Sequence, residues 1–153
     1  MTELNTLAAR LKLIAMDVDG VLTNGTVTYD SNGEEHKSFC IKDGLGIKLL
    51  QKAGLRVALI TGRASTMVER RAAELGITDV IQGREDKLTA LLEITALIGC
   101  TLEEAAYMGD DLPDMAAIKA VAHGACPADA VSCVRDAADY TTTSRGGEGA
   151  VRE

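Results

Sequence analysis

Aromatic side chains are nearly missing from this chain. It has no Trp and one Phe among 153 residues, so it offers no platform on which nucleobases could stack. Surplus positive charge is missing too. Sixteen Lys and Arg stand against 23 Asp and Glu, a formal net charge of −7, which argues against general nucleic-acid binding. No apolar run approaches the length that crosses a bilayer. Residues 1–10 lack the basic-then-apolar plan of a secretory signal, and the expected compartment is the cytoplasm. The four cysteines, Cys40, Cys100, Cys126 and Cys133, never fall at CxxC spacing. They read as reduced, mostly buried thiols and not as a zinc site. No internal repeat and no linker is visible.

What is present is an apolar fraction of 46%, enough at this length for one domain, residues 1–153, with a real core. Leu11, Leu13, Ile14 and Ala15 read as a buried parallel strand. It runs into Met16-Asp17-Val18-Asp19-Gly20-Val21-Leu22-Thr23. Two carboxylates two residues apart at the carboxyl end of a strand sit where open α/β sheets bind ligands. They repel each other and stay ionised together only with a cation, a shared proton or strong donors. Oxygen-only ligation suits a hard ion such as Mg²⁺. The alternative for a lone DxD is a solvated loop.

Strand and helix patterns alternate along the rest of the chain. Thr26 to Tyr29 and Glu35 to Cys40 are β-prone around Asn32-Gly33, which predicts a hairpin over about 25–40, either a flap over the site or a pairing surface for other subunits. Helices are expected from Ile47 to Ala53, over 65–75, over 85–98 with Leu88, Leu91, Leu92 and Thr95 inward, over 114–120 and over 128–137. Strands are expected at 56–60, 78–81, 105–108, 121–124 and, at an edge, 139–143. Thr101 and Glu104 have capping-box spacing. Alternating strands and helices predict an α/β fold, a Rossmann-like doubly wound parallel sheet.

Strand exits and helix starts then carry Asp17 and Asp19, Thr61, Lys87, and Asp110, Asp111 and Asp114. Together these types suit phosphoryl transfer. Asp17 could attack phosphorus and form an aspartyl phosphate. Asp19 could protonate the leaving alkoxide and then deprotonate water. Thr61 offers a hydroxyl donor, Lys87 a charge that would also restrain Asp17, and Asp110 could complete a Mg²⁺ site with Asp17.

Asp17-Val18-Asp19-Gly20-Val21-Leu22-Thr23, Thr61, Lys87 and Gly109-Asp110-Asp111-Leu112-Pro113-Asp114 resemble the four motifs of the haloacid dehalogenase superfamily. The resemblance implies Asp17 as nucleophile and Asp19 as acid/base. It implies metal ligation by the Asp17 and Asp110 carboxylates and the Asp19 main-chain carbonyl, with Asp111 and Asp114 as supporting acids. A narrower resemblance, to the 3-deoxy-D-manno-octulosonate 8-phosphate phosphatase family, rests on 39–47, Ile60-Thr61-Gly62-Arg63, Gln82-Gly83 with Asp86-Lys87-Leu88, and 146–153. It implies a core without a cap domain, interrupted only by the hairpin, and homotetramers whose hairpins associate. It also implies a phosphorylated eight- or nine-carbon keto-deoxy sugar acid as substrate, and a place in bacterial surface-sugar (lipopolysaccharide) synthesis. Two departures stand out. Met115-Ala116-Ala117 occupies a segment that is usually bulkier, and relatives usually continue past the position of Glu153 into a further helix.

Several residues carry two readings. Arg63, beside Gly62, could bind substrate or cap a loop. Lys37 reads as a solvated hairpin lysine or one that faces a neighbouring site. Asp43 reads as a helix N-cap, with shaping of a loop near the sugar as the other option. The glycine-rich tail, 145–153, could approach a ligand or fray. His36 and His123 read as structural or surface residues. Within the enzyme class the alternative substrate is a nine-carbon, sialic-acid-type 9-phosphate. Across classes the alternatives are a receiver-like module or a pseudo-enzyme that binds sugar phosphates.

Overall fold

Alternation of apolar side chains along short strands sets the layers of this protein. The computed structural model describes residues 3–153. The element order is α1 (Glu3–Arg10), β1 (Leu13–Met16), β2 (Thr28–Tyr29), β3 (Glu35–His36), α2 (Ile41–Lys52), β4 (Arg56–Thr61), α3 (Thr66–Leu75) and β5 (Asp79–Gln82). After these come α4 (Lys87–Ile98), β6 (Ala105–Met108), α5 (Met115–Ala120), β7 (His123–Cys126), α6 (Ser132–Ala137) and β8 (Tyr140–Thr141). Six strands form one sheet in the order β5-β4-β1-β6-β7-β8, every neighbouring pair parallel. Leu13, Ala15, Ala58, Ile60, Ala105 and Tyr107 point to one side and pack with Ala90, Leu91 and Ile94 of α4, Ile118 of α5 and Val134 of α6. Met16, Val57, Leu59 and Met108 point to the other side and pack with Ile47 of α2 and Val68, Ala72 and Leu75 of α3. The period of two decides which helix covers which face.

β1 lies at the centre, between β4 and β6. Met16 is in register with Leu59 of β4 and Met108 of β6. The carboxyl ends of β1, β4 and β6 therefore open side by side, and the segments beginning at Asp17, Gly62 and Gly109 share one crevice. The order turns at this point, with β4 to one side of β1 and β6 to the other, the switch point where open α/β sheets bind ligands.

Local chemistry sets the element ends. Ser65 accepts the Met67 N–H at the start of α3, and Asp86 accepts the Thr89 N–H at the start of α4. The Glu104 carboxylate accepts the Thr101 N–H before β6. The two-stranded hairpin pairs Thr28 with His36 and Tyr29 with Glu35, and Asp30 caps its turn by accepting the Asn32 and Glu34 N–H groups.

Some expectations need correction. The second hairpin arm ends at His36, not Cys40, because Lys37 turns inward and Cys40 precedes α2. α2 begins at Ile41, so Asp43 lies in its first turn and is no N-cap; its buried carboxylate accepts the Arg152 N–H. On α4 the inward stripe is Lys87, Ala90, Leu91, Ile94 and Thr95, with Leu92 exposed. On α2, Leu49 is exposed. α6 starts only at Ser132. Residues 3–10 form α1, for which the sequence reading had no element. Among the cysteines only Cys126 is fully buried and Cys133 is exposed.

Candidate active site

The site begins with the end of β1. The Asp17 N–H still donates to Met108 O across the sheet, so Asp17 is held as firmly as a strand residue, although β1 ends one residue earlier. Its carboxylate is nearly buried. Oδ1 accepts the Val18 N–H at 2.7 Å and lies 2.8 Å from Lys87 Nζ. The same carboxylate faces that of Asp110. Gly20 then turns the chain with φ +91°. A Cβ there would strike the Asp110 carboxylate, so the close approach of the two loops requires glycine.

Lys87 is the first residue of α4 and is 3% exposed. An ammonium has three N–H donors, and Lys87 places its nitrogen 2.9 Å from Ile60 O, 2.8 Å from Asp17 Oδ1 and 3.3 Å from Asp114 Oδ1. All three donors are engaged. Lys87 therefore acts by restraining Asp17 and by its charge.

Asp114 organises the loop after β6. Oδ1 accepts Tyr107 OH at 2.7 Å as well as Lys87, and Oδ2 accepts the Asp110 and Asp111 N–H groups at 3.0 and 3.2 Å. It is 1% exposed. Tyr107 escaped the sequence reading. The signal was available, since a Tyr in the middle of a buried Ala-Ala-Tyr-Met strand needs a partner for its hydroxyl. Burial and the neighbouring Asp114 hold that hydroxyl's pKa well above its ordinary value.

Asp17, Asp110 and Asp114 each bring a carboxylate oxygen within 4.8 Å of the others. Burial raises Asp110 to about 8, helped by the charges of Asp17 and Asp114. Burial and Asp114 raise Asp17 to about 6, against the opposing pull of Lys87. Lys87 alone does not compensate this acid cluster. A hard divalent cation would, and oxygen donors are the set such a cation takes. Because four donors already occupy the oxygens of Asp114, the carboxylates able to reach a cation are those of Asp17 and Asp110.

These groups line a cavity of about 260 Å³ together with Asp19, Thr61, Gly62, Arg63 and Asp111. The residues offered from the sequence for phosphoryl transfer, substrate and metal thus line one cavity, with Lys87 and Asp114 the most deeply buried among them. Thr61, at the end of β4, is buried and accepts the Arg63 N–H. Arg63 stands at the rim, its Nη2 donating to Glu35 Oε2 at 2.9 Å. Asp111 is exposed and accepts the Leu112 N–H. Glu85, given no role in the sequence analysis, also lines the cavity; an acid at the exposed end of a loop gives no sequence signal. Lys37 is neither solvated nor turned outward. Its ammonium lies 2.6 Å from Asp19 Oδ1, with the side chain 2% exposed.

The tail closes over the back of the nucleophile loop. Gly147 N–H donates to Val21 O, and Gly146 packs on the Gly20 carbonyl where a Cβ would not fit. His36 lies at the surface beside Asp30, and His123 stacks on Tyr140.

Comparison with known proteins agrees with this arrangement. A haloacid dehalogenase-like hydrolase family model matches residues 74–153. The 3-deoxy-D-manno-octulosonate 8-phosphate phosphatase KdsC of Haemophilus influenzae is 44% identical over 94% of this chain and 79% of its own length. The crystal structure of the Moraxella catarrhalis phosphatase of that name, in complex with magnesium, phosphate and KDO, superimposes with a TM-score of 0.95 at 48% identity, over 99% of this chain and 87% of the other. The cobalt-bound Haemophilus influenzae structure gives a TM-score of 0.91 at 42% identity, over 95% and 85%. Receiver-like and binding-only alternatives find no support among these relatives. On its motifs, its fold and these likenesses, the chain belongs to the haloacid dehalogenase-like hydrolases, in the group of 3-deoxy-D-manno-octulosonate 8-phosphate phosphatases.

Proposed function

We propose that this protein hydrolyses 3-deoxy-D-manno-octulosonate 8-phosphate to the free sugar acid and phosphate, and that it does so with Mg²⁺, in the cytoplasm, as a homotetramer. The observation that carries the chemistry is Asp17. One of its oxygens is fixed by Lys87 and the Val18 N–H, and its residue lines a cavity with a second acid, Asp19, and a hydroxyl donor, Thr61. That is a restrained nucleophile beside a proton donor.

In this reading an oxygen of Asp17 bonds to phosphorus while the bond to the sugar oxygen breaks. Asp19 gives its proton to the departing oxygen. It then takes a proton from the water that attacks the aspartyl phosphate, which returns Asp17 and releases phosphate. The Thr61 hydroxyl and Gly62 backbone hold phosphoryl oxygens, and Arg63 at the rim meets the anionic end of the sugar acid. Mg²⁺, held by Asp17, Asp110 and the Asp19 carbonyl, would neutralise charge between phosphate and carboxylates. Asp111 and Asp114 shape the loop that carries Asp110.

Phosphate release measured with Mg²⁺ over a panel of sugar phosphates tests the proposal. Preference for the eight-carbon acid 8-phosphate is expected, and Asp17→Asn should abolish turnover while the protein still folds. Preference for a nine-carbon acid 9-phosphate would keep the chemistry and move the substrate. Turnover that survives Asp17→Asn would overturn the mechanism. Sedimentation at several concentrations tests the tetramer.

A further inference from the structure

Lys37 has no part in the chemistry described so far, yet the fold invests heavily in it. It follows β3 directly, and its ammonium reaches Asp19 Oδ1 at 2.6 Å and Glu35 Oε1 at 3.1 Å. Glu35 in turn accepts from Arg63 on the far rim of the cavity. Fixing a lysine side chain costs rotamer entropy, and an ammonium whose side chain is screened from solvent needs anionic partners.

Asp19 is the group that gains. It lies three residues past the end of β1, in a loop where no strand pairing fixes its side chain. Among the described residues, Lys37 is the only one that donates to its carboxylate. Oδ2 takes no hydrogen bond among them. A proton donor must stand within hydrogen-bond reach of the oxygen it serves, and a carboxylate free to rotate would spend much of its time elsewhere.

We propose that Lys37 is a positioning residue for the acid–base step. It holds Asp19 by one oxygen so that the other meets the sugar oxygen that leaves phosphorus. Lys37 keeps its three protons throughout; the proton that moves is the one on Asp19. The hairpin is then part of the catalytic framework and not only a cover. This rests on the role given to Asp19 above.

The test uses two substrates that differ in their need for a proton. The sugar alkoxide leaves poorly unless protonated, whereas 4-nitrophenolate leaves without one. Single-turnover release of each product is measured for the parent enzyme, Lys37→Met and Asp19→Asn, with folding checked by thermal melting. Lys37→Met is expected to slow release of the sugar at least about tenfold more than release of 4-nitrophenol, in the direction of Asp19→Asn, since positioned proton transfer contributes roughly 10²–10⁴ in rate. If Lys37→Met fails to fold, Lys37→Gln, which keeps similar bulk without the cation, is read in the same way. Equal losses on the two substrates, or none, while Asp19→Asn still separates them, would reduce Lys37 to a structural role. If Asp19→Asn itself does not separate them, the acid role of Asp19 fails and the proposal falls with it.

Discussion

Two carboxyl groups set the pH behaviour of this site. Without metal, Asp110 titrates at about 8 and Asp17 at about 6 because burial and neighbouring acids disfavour their charged forms. Both values lie above those of an unfolded chain, so the folded state binds these protons more tightly. Their contribution to the metal-free fold is complete below about pH 4 and is lost as pH rises through about 6 and then about 8. Chelated protein should therefore melt at progressively lower temperature from about pH 4 to about pH 8 and level off above that, and the gain on adding Mg²⁺ should widen over the same range. A gain in melting temperature that stays constant with pH would contradict these assignments. At this scale much was legible, because Asp17, Asp19, Thr61, Lys87, Asp110 and Asp114 each stand at or near the end of a strand or the start of a helix whose apolar run is plain. Lys37 was not, since nothing in its neighbours announces that a hairpin lysine will fold back on a carboxylate 18 residues away.

The loop between β6 and α5 is built around one side chain. Asp114 takes up two backbone N–H groups, a tyrosine hydroxyl and a lysine. Asparagine has the same shape but only one accepting oxygen, so its NH₂ group must face either the backbone donors or Lys87 and Tyr107. Asp114→Asn should destabilise the protein by about 3–5 kcal/mol, the range for breaking a buried ion pair, measured by denaturant unfolding. It should also weaken Mg²⁺ binding, because Asp110 loses the anchor of its backbone. Among the elements, the central strands β1, β4 and β6 and helix α3 could be read from apolar runs and a stop glycine. The start of α2 could not. Asp43-Gly44 looks like a cap in local sequence, but its partner is a backbone amide 109 residues along the chain, and no local pattern carries that information. The outward turn of Leu92 has a similar cause: Lys87 must reach Asp17, and that requirement fixes the rotation of α4.

The chain's last residues tie the molecule together. The Glu153 carboxylate accepts from Tyr140 OH, from the Thr143 hydroxyl and N–H, and from the Ser144 N–H. Asp43 holds the turn just before it, and the tail's glycines press on the nucleophile loop. Glu153→Ala should speed hydrogen exchange at the Gly147 and Arg152 amides well before it affects β1 or β6. Unchanged protection there would mean that the tail is held by packing alone. The in-register pairing of Met16 with Leu59 and Met108 has a kinetic consequence. It joins stretches of chain far apart in sequence, and contacts of that kind form slowly and late. A shift of one residue along β1 would also turn each of its side chains to the opposite face. No early hairpin or isolated helix can assemble the nucleophile, its lysine and the metal acids. During refolding, the capacity to bind Mg²⁺ should therefore return with the central sheet and not before it, which makes the ion a clock for the last cooperative step of folding.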